Sequence, residues 1–398
     1  MGKLQYTGYR PTWAEVNLEN LVFNLSQVKK FLKPETKVLV TVKADAYGHG
    51  LVRVAKKLAS LGVDYFGVAS IDEGIILRKE KIKIPILVLG MIFESDVEPL
   101  FEYNLTPTVC SEELANALNK KARALKRKIN LHIKVDTGMG RIGVSTHEAQ
   151  TLIKRINRLA FVRIEGVFTH FAFADMNREF TLHQIELFGR LIRKLGNQGM
   201  HFPLIHCANS MGVLDYKKGH FNMVRPGLVI YGLHPSEKVG LRLKPVLSLK
   251  TKVIYYKKVP KGQGISYGHT YITKKDTTII TLPIGYGDGY PRNLSNIASV
   301  LIRGKRFKIS GRVCMDQIMV DVGNLPVRIG EEVVLIGRQG KNKVTTEELA
   351  KLSGTIPYEI VCGLGNRVPR VYLEKKLGKG INKIEAEDKS QNLRQRST

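Results

Sequence analysis

Lys43 follows the apolar run VLVTV and opens a glycine-containing segment that also carries Asp45, Tyr47 and His49. A lysine held in an apolar environment has a destabilised ammonium, so its amine becomes available as a nucleophile. An amine of this kind can form a Schiff base with an aldehyde. A single lysine after a strand is more often a surface residue, so the chemical interpretation depends on the residues that accompany it.

Polar residues also stand at the ends of later β-like runs. These residues are Lys134 and Asp136, Thr169 and His170, His206, Asn209 and Ser210, and Arg225 with Gly227. Parallel strands of a barrel end at one face, and barrels frequently bind phosphate in the loops after strands seven and eight. The loops 208–212 (ANSMG) and 225–228 (RPGL) offer a hydroxyl and a glycine that lets backbone N–H groups come close. A Schiff-base lysine beside a phosphate site indicates pyridoxal 5′-phosphate.

The elements that would position these residues alternate between β-like and helical patterns from residue 12 to residue 243. The eight β-like runs are 38–42, 65–69, 86–90, 105–109, 131–135, 164–168, 203–207 and 223–232. Helical patterns lie between them, such as the one that follows Ser111, a plausible N-cap. Eight strands with intervening helices predict an α/β barrel, a parallel (β/α)8 barrel of the TIM type, rather than an open doubly wound sheet. Pro226 makes the last run the weakest of the eight.

After Pro245 the pattern changes to β-like runs separated by glycine and proline, which is typical of a mostly antiparallel β domain. We therefore predict a barrel over residues 12–243 and a C-terminal β domain over residues 244–373. The N-terminal segment 1–11 is expected to pack with the β domain. The basic tail 374–398 has few large apolar side chains and is expected to be disordered.

Composition and residue spacing favour a folded, non-membrane protein without a metal site. The 398 residues suggest two or three domains, and 43% hydrophobic with 25% charged residues is ordinary for a folded chain. No apolar stretch approaches the ~18 residues of a membrane span, and the first residues lack the apolar core of a secretory signal. The cysteines are scattered and the histidines lack metal-ligand spacing. We therefore expect reduced thiols, a cytoplasmic location, no membrane partner and no metal site.

The net charge of +28 is unusual and predicts salt-sensitive attraction to polyanions. Its densest patch, KKARALKRK at 120–128, has no nucleic-acid-binding motif beside it. A solvated basic surface is therefore the preferred interpretation, and no specific nucleic-acid partner is expected. An accessory polyanion-binding role stays open, and it would appear as salt-sensitive binding that does not depend on a cofactor.

Gly138, Gly140 and Gly143 form a G-x-G-x-x-G pattern after a β-like run, and Glu165 follows about twenty residues later, as in dinucleotide-binding units. The helix cap, however, is expected at Ser145, beyond the third glycine. In a Rossmann unit the helix begins within the glycine motif. A nucleotide site is therefore the second interpretation of this segment.

Nine segments resemble those of the alanine racemase family, in the family's order along nearly the whole chain. They are VKADAYGHG, KVDTGMGRIG, THFAFAD, HCANS, RPGLVIYG, GISYGHT, LPIGYGDGYPR, GRVCMDQ and IPYEIVCGLGNRVPR. The resemblance implies a fold-type III pyridoxal phosphate enzyme built from a barrel and a β domain. It also implies a homodimer whose active sites are shared between subunits.

The resemblance implies roles for individual residues. Lys43 would carry the cofactor and act as one catalytic base, and Tyr267 would be the opposing base. Arg225, supported by His206, would contact the pyridine nitrogen, and His170 would lie against the ring. The remaining cofactor-binding residues, most of them around the phosphate, would be Tyr47, Asn209, Ser210, Gly227, Leu228 and Tyr358.

The resemblance also implies a substrate site and an entrance. Arg141 would lie near the cofactor's phenolic oxygen and the substrate carboxylate, which the backbone of Met315 would also meet, with Asp316 in support. Lys134 would lie near Arg141, and the family often converts this lysine to a carbamate, which removes the repulsion between two cations. The residues that match the family's narrow entrance are Asp175, Tyr286, Arg292 and Arg312.

The function implied is the two-base interconversion of L-alanine and D-alanine, which supplies D-alanine for peptidoglycan. A racemase of serine or of a broader range of amino acids is the alternative within the same scaffold. A non-catalytic pyridoxal phosphate carrier has a similar barrel but lacks a second β domain, so residues 246–372 count against it. The RPG motif also lacks the glutamate that related decarboxylases place against the ring nitrogen.

Overall fold

The computed structural model describes residues 9–235 and 240–374. Residues 1–8, 236–239 and 375–398 lie outside the described residues. Most of the predicted N-terminal segment and nearly all of the predicted disordered tail therefore fall outside them. Within the described part of the N-terminal segment, Arg10 binds the carboxylate of Asp288 in the β domain.

Eight parallel strands form the predicted barrel, which confirms the fold class. They are numbered here as barrel strands 1 to 8 and span Lys37–Thr41, Tyr65–Val68, Ile86–Val88, Thr106–Val109, Ile129–Asp136, Val162–Phe168, Leu204–His206 and Met223–Val224. Consecutive strands pair from strand 1 to strand 7, and strand 8 pairs with strand 1. The side chain of Asn222 accepts from the N–H of Ile205 at 2.7 Å and links strand 7 to the start of strand 8. The sheet is therefore nearly closed.

Helices cover the outside of the barrel. They span Leu18–Lys29, Leu51–Ser60, Ile71–Lys79, Glu98–Glu102, Glu112–Ala124, Thr146–Asn157, Arg178–Gly196 and Ser210–Asp215. The hydroxyls of Ser70, Ser111 and Ser145 cap three of them by accepting from the N–H three residues later. Buried side chains recur every three or four residues, as at Leu114, Leu118 and Ala122, so each helix packs one apolar face against the strands.

Barrel strand 8 is shorter than the predicted run 223–232. Only Met223–Val224 is a strand, and Leu228–Tyr231 is a 3-10 turn. Pro226 has no N–H for a ladder, and Gly227 has φ −127° and ψ −89°, which lies outside strand geometry. The apolar run correctly indicated burial, but the proline and glycine prevented a continuous strand.

The glycine segment after barrel strand 5 does not form a dinucleotide-binding turn. The next helix begins after Ser145, beyond Gly143. The carboxylate of Asp136 accepts from the N–H groups of Gly138 and Gly140 at 2.8 and 2.9 Å. A phosphate would meet this carboxylate rather than free donors, so the geometry argues against the nucleotide interpretation.

The second domain is mostly antiparallel, with two short helices. Its strands span Leu247–Lys252, Tyr255–Val259, Gly264–Ile265, Tyr271–Ile272, Thr277–Leu282, Ser299–Ile302, Lys305–Lys308, Ile318–Gly323, Glu332–Gln339, Asn342–Val344 and Arg370–Leu373, and its helices span Thr346–Ser353 and Pro357–Cys362. Buried aliphatic residues such as Val300, Leu335 and Ile336 form a core separate from that of the barrel. Within the described residues, no helix combines the length and apolar character needed to cross a membrane.

The strand Thr12–Asn17 belongs to the sheet of this second domain, although the predicted barrel begins at residue 12. It pairs antiparallel with Leu247–Lys252 and parallel with Arg370–Leu373. Its first five residues are all buried, which would suit either sheet. The strand joins the second domain because it pairs with strands more than 230 residues later in the chain. A local sequence pattern carries no information about such distant partners.

Candidate active site

A cavity of about 480 Å³ opens at the carboxyl end of the barrel strands. The residues that line it include ten predicted site residues: Lys43, Tyr47, Lys134, Arg141, His170, Asn209, Ser210, Arg225, Gly227 and Tyr358. All but Tyr358 come from the barrel. Tyr358 lies on the helix Pro357–Cys362 and is the contribution of the β domain of the same chain.

Lys43 begins a left-handed turn, because Ala44 to Tyr47 all have φ between 52° and 55°. Each such non-glycine residue costs about 1–2 kcal/mol, so the surrounding contacts must impose the conformation. The carboxylate of Glu73 accepts from the N–H of Ala44 at 2.6 Å, and that of Asp45 accepts from Leu51 at 2.9 Å. The turn holds Lys43 and Tyr47 at the mouth of the barrel.

Glycine is required where this turn meets the second domain. Gly48 has φ +76°, and a Cβ there would lie 2.1 Å from the carbonyl oxygen of Val361. The turn therefore packs directly on the helix that carries Tyr358, whose ring centroid is 5.5 Å from that of Tyr47. This contact couples the barrel mouth to the β domain of the same chain.

The amine of Lys43 has the environment that the sequence interpretation requires. Burial lowers its pKa, and the positive charge of Arg141 lowers it further, while the carboxylate of Glu73 acts in the opposite direction. The neutral, nucleophilic form of the lysine is therefore more accessible than in water.

The loops after barrel strands 7 and 8 meet at one side of the cavity. Asn209 caps the helix Ser210–Asp215 by accepting from Gly212, and the hydroxyl of Ser210 accepts from the N–H of Gly227 at 3.0 Å. A Cβ on Gly227 would lie 2.7 Å from the phenolic oxygen of Tyr47, so glycine is needed for this close approach. Leu228 follows directly and is buried, so its side chain does not line the cavity.

Arg225 is buried beneath the cavity and held by four hydrogen bonds. Its Nη1 donates to Nδ1 of His206 at 2.8 Å, and its Nη2 donates to the carbonyl oxygen of Thr169 at 2.7 Å. The same Nη2 contacts the carbonyl of Cys207 and Nδ1 of His170. Burial lowers the pKa of Arg225 to about 10, so the guanidinium stays charged at neutral pH. Its Nε–H makes no hydrogen bond within the described residues.

Lys134 adds a further cation to the same cavity. Its Nζ lies 5.5 Å from the ring centroid of Phe168. Burial, followed by the charges of Arg141 and Arg225, lowers its pKa to about 8. About a tenth of this lysine is therefore an uncharged amine at pH 7. Burial is also the main cause that holds the pKa of His170 well below its usual value, and the neighbouring cations lower it further.

The other predicted site residues do not line this cavity. Tyr267, Tyr286 and Met315 are exposed on the β domain, with 70%, 43% and 53% of their surface accessible. Tyr267 begins the 3-10 turn Tyr267–His269. Arg312 lies against this turn, because a Cβ on Gly268 would be 3.7 Å from the Nε of Arg312. The carboxylate of Asp316 accepts from Arg367. Arg292 begins a 3-10 turn of the β domain, and Asp175 lines a separate pocket beside the barrel.

Sequence reasoning missed three residues of this region. Glu73 braces the strained turn, Cys362 lines the cavity, and His132 contacts His206 under it. Glu73 and Cys362 stand in ordinary helical patterns that carry no chemical signal. His132 stands on barrel strand 5 two residues before Lys134, so it shares that strand's inward face, and this spacing could have identified it.

Fold and site together define a two-domain barrel enzyme whose cavity holds a lysine with a lowered pKa and a buried arginine. Residues 16–235 match the family model of the alanine racemase N-terminal domain, and residues 246–372 match that of the C-terminal domain. The alanine racemase of Halothermothrix orenii is 49% identical over 370 residues, which cover 92% of this chain and 98% of that protein.

Solved structures agree in fold over nearly the whole chain. The alanine racemase of Clostridium difficile 630 has a TM-score of 0.88 at 42% identity, over 94% of this chain and 98% of that one. Its complex with cycloserine has a TM-score of 0.86 at 40% identity, with the same coverage. The chain belongs to the alanine racemase family, and its enzyme class is that of the isomerases.

Proposed function

We propose that this chain interconverts L-alanine and D-alanine with pyridoxal 5′-phosphate bound through Lys43. The observation that carries the proposal is the presence of the Lys43 amine and the Arg225 guanidinium in one cavity at the barrel mouth. The relatives named alanine racemase, one of them in complex with cycloserine, support the substrate class. A cytoplasmic location and a role in peptidoglycan supply belong to the same proposal.

The residues of the cavity fit this cofactor. Lys43 offers an amine whose pKa burial lowers, which suits a Schiff base with the aldehyde. The Nε–H of Arg225, which has no partner within the described residues, is available to the ring nitrogen. Gly227 lets the backbone approach Tyr47, and Asn209, Ser210 and Tyr358 line the same cavity and would surround the phosphate. Leu228 would contribute only its backbone.

When bound, pyridoxal phosphate makes the α-proton of an attached amino acid acidic by withdrawing electrons from the α-carbon. The protein must then remove a proton from one face and supply one to the other, which two opposed bases achieve without turning the substrate. Lys43 would exchange the proton at its Nζ on one face. Tyr267 would exchange it at its phenolic oxygen on the other.

Arg225 would hold the ring nitrogen without giving up a proton. A guanidinium with a pKa of about 10 donates a hydrogen bond and stays protonated at neutral pH. Arg225 would therefore keep the ring nitrogen of a bound cofactor unprotonated, and this role would favour racemisation over transamination.

Tyr267 does not line the cavity that contains Lys43, so we propose a homodimer with shared sites. Tyr267, Tyr286 and Met315 are exposed on the β domain, Arg312 lies beside Gly268, and Met315 lies beside Gly287. We define these four residues as the β-domain patch. In a two-fold dimer this patch of one chain can cover the barrel mouth of the other. The phenol of Tyr267 would then act away from bulk water, with the cation of Arg312 nearby.

Substrate binding would use the remaining residues. Arg141 at the cavity mouth and the backbone of Met315 would bind the alanine carboxylate, with Asp316 in support. Lys134, uncharged in part because its pKa is about 8, could add carbon dioxide to become a carbamate and so accept from Arg141. Asp175, Tyr286, Arg292 and Arg312 would narrow the entrance to favour a methyl side chain.

The test combines cofactor mapping with a racemisation panel. Borohydride treatment of the loaded protein should fix the cofactor on Lys43, and peptide mapping should find it there. The protein should racemise alanine faster than serine or larger amino acids. Lys43→Ala should abolish both results, whereas Lys56→Ala, at an exposed ion pair, should change neither. A label on another lysine would overturn the assignment of the site.

A further inference from the structure

A line of polar side chains runs from Arg225 through the inside of the barrel towards its opposite end. Nη1 of Arg225 lies 2.8 Å from Nδ1 of His206, and Nε2 of His206 lies 2.9 Å from Nδ1 of His132. Nε2 of His132 faces the carboxylate of Glu165, with Oε2 at 3.4 Å. The carboxylate also accepts from Tyr65 at 2.7 Å and from Asn130 at 3.1 Å.

The chemistry of the groups fixes the direction of this line. A guanidinium only donates, so Nδ1 of His206 must be an acceptor. Burial keeps the pKa of both histidines below the usual value, so each carries one proton. His206 therefore holds its proton on Nε2 and donates to His132, which in turn holds its proton on Nε2. That nitrogen is buried and makes no hydrogen bond of standard geometry within the described residues, and the carboxylate oxygen Oε2 of Glu165, at 3.4 Å, is the acceptor that it faces.

Glu165 stays ionised at the end of the line. Burial acts to raise its pKa, but the contacts with His132 and Tyr65 outweigh burial and leave the pKa below its usual value. Its side chain is 20% exposed, in a pocket of about 330 Å³ at the opposite end of the barrel. Lys83, Arg127 and Lys128 also line this pocket, and the positive charge of the nearby Arg163 favours the anionic form of Glu165.

Arg225 needs such an anion. A buried charge without a counterion is costly, and no carboxylate lies within 4 Å of the Arg225 guanidinium among the described residues. The acceptors that surround it are two backbone carbonyls and two histidine nitrogens, all neutral. A chain of hydrogen bonds that ends on a carboxylate strengthens each acceptor in turn.

We propose that Glu165 is the counterion of Arg225 and positions it against the cofactor ring through His206 and His132. Glu165, whose spacing from the glycine pattern resembled that of dinucleotide-binding units, would thus be a positioning residue for racemisation. The backbone is shaped for this line, because a Cβ on Gly166 would lie 2.6 Å from Nδ1 of His132.

Nitrogen NMR of the cofactor-free protein with labelled histidine tests the line without any activity. His132 and His206, assigned through single substitutions to Gln, should each carry one proton, on Nε2. Glu165→Gln removes the charge but keeps the shape, and it should shift the Nε2 signals of both histidines. Gly166→Ala, which displaces His132, should shift the same two signals. Tyr65→Phe should leave His206 unmoved, as should Glu15→Gln, a matched buried glutamate in the β domain.

The kinetic arm rests on the proposed function. In the loaded enzyme, Glu165→Gln and Gly166→Ala should lower kcat by about tenfold and change KM for alanine less than twofold, because the effect acts on the ring and not on substrate binding. Glu15→Gln should change neither. A His206 proton on Nδ1, a His206 signal that ignores Glu165→Gln, or an unchanged kcat would each overturn the proposal. A wild-type protein that racemises nothing would refute the proposed function instead, and the NMR result would still decide the counterion.

Discussion

The two halves of the candidate site are built differently. In the barrel, Arg225 is 5% exposed and held by four hydrogen bonds, and Lys43 begins a turn braced by Glu73. In the β domain, Tyr267 is 70% exposed and Met315 is 53% exposed. The barrel half is thus preorganised within one chain, whereas the β-domain half needs another surface to exclude water. Under the proposed function, the cofactor would be held by residues of a single chain, whereas the two-base chemistry would need a second chain to cover Tyr267.

Among the changes in the barrel half of the site, reversal of the charge at Arg225 should reduce the racemisation rate most. Arg225→Glu should leave a folded protein that binds the cofactor but racemises alanine on the order of 100-fold more slowly. It should also transaminate more, because a carboxylic acid can give a proton to the ring nitrogen and prolong the negative charge. Chiral analysis with pyruvate detection measures both products, and Arg225→Lys provides the cationic control. An unchanged ratio of products would mean that other groups set the ring electronics.

Stability at low pH should reflect the buried histidines of the barrel. Burial lowers the pKa values of His132, His170 and His206, and that of His49 to about 4, compared with about 6.5 in an unfolded chain. Between these values the unfolded chain binds more protons, so the free energy of unfolding falls as pH falls. His49, whose pKa in the folded chain is about 4, should remove about 2 kcal/mol by pH 5, and the other three histidines should act in the same direction.

Denaturant titration from pH 7.5 to pH 5 measures this slope. His132→Gln should make this slope shallower, because the variant lacks one of the histidines whose pKa folding lowers. Any loss of stability that is the same at every pH does not affect the slope. The exposed control Gln198→Ala should leave the slope unchanged. Equal slopes in wild type and in His132→Gln would show that folding does not lower the pKa of His132.

A smaller effect is expected at Lys134. Labelled bicarbonate should give a carbamate signal in carbon NMR that Lys134→Ala removes and that the exposed Lys126→Ala retains. Activity of Lys134→Ala should fall by about tenfold, because Arg141 then lacks a nearby anion. A bare amine with full activity would remove the argument from charge compensation.

Local pattern predicted the barrel half of the site because each residue follows its own strand. Lys43, His170, Ser210 and Arg225 stand just after apolar runs, and parallel strands of a barrel end at one face. The same logic failed for Thr12–Asn17, which pairs across domains, and for the run after Pro226. In both places the outcome depends on distant partners or on the geometry of one residue.

The β-domain half was available only through family resemblance. Nothing local distinguishes Tyr267 from an ordinary loop tyrosine, and its exposure depends on how the whole domain folds. The contact between His132 and Glu165 likewise depends on the register of barrel strands 5 and 6, where His132 pairs with Gly166. Such pairings arise from long-range packing, which periodicity does not encode.

Subunit mixing tests the shared site most directly. Lys43→Ala and Tyr267→Phe variants, each nearly inactive alone, are mixed under conditions that exchange subunits, and exchange is verified by mass or fluorescence. If each site takes Lys43 from one chain and Tyr267 from the other, activity should recover towards about one intact site in four. If both bases act within one chain, every site keeps one defect. A mixture that exchanges subunits yet stays inactive would contradict the account.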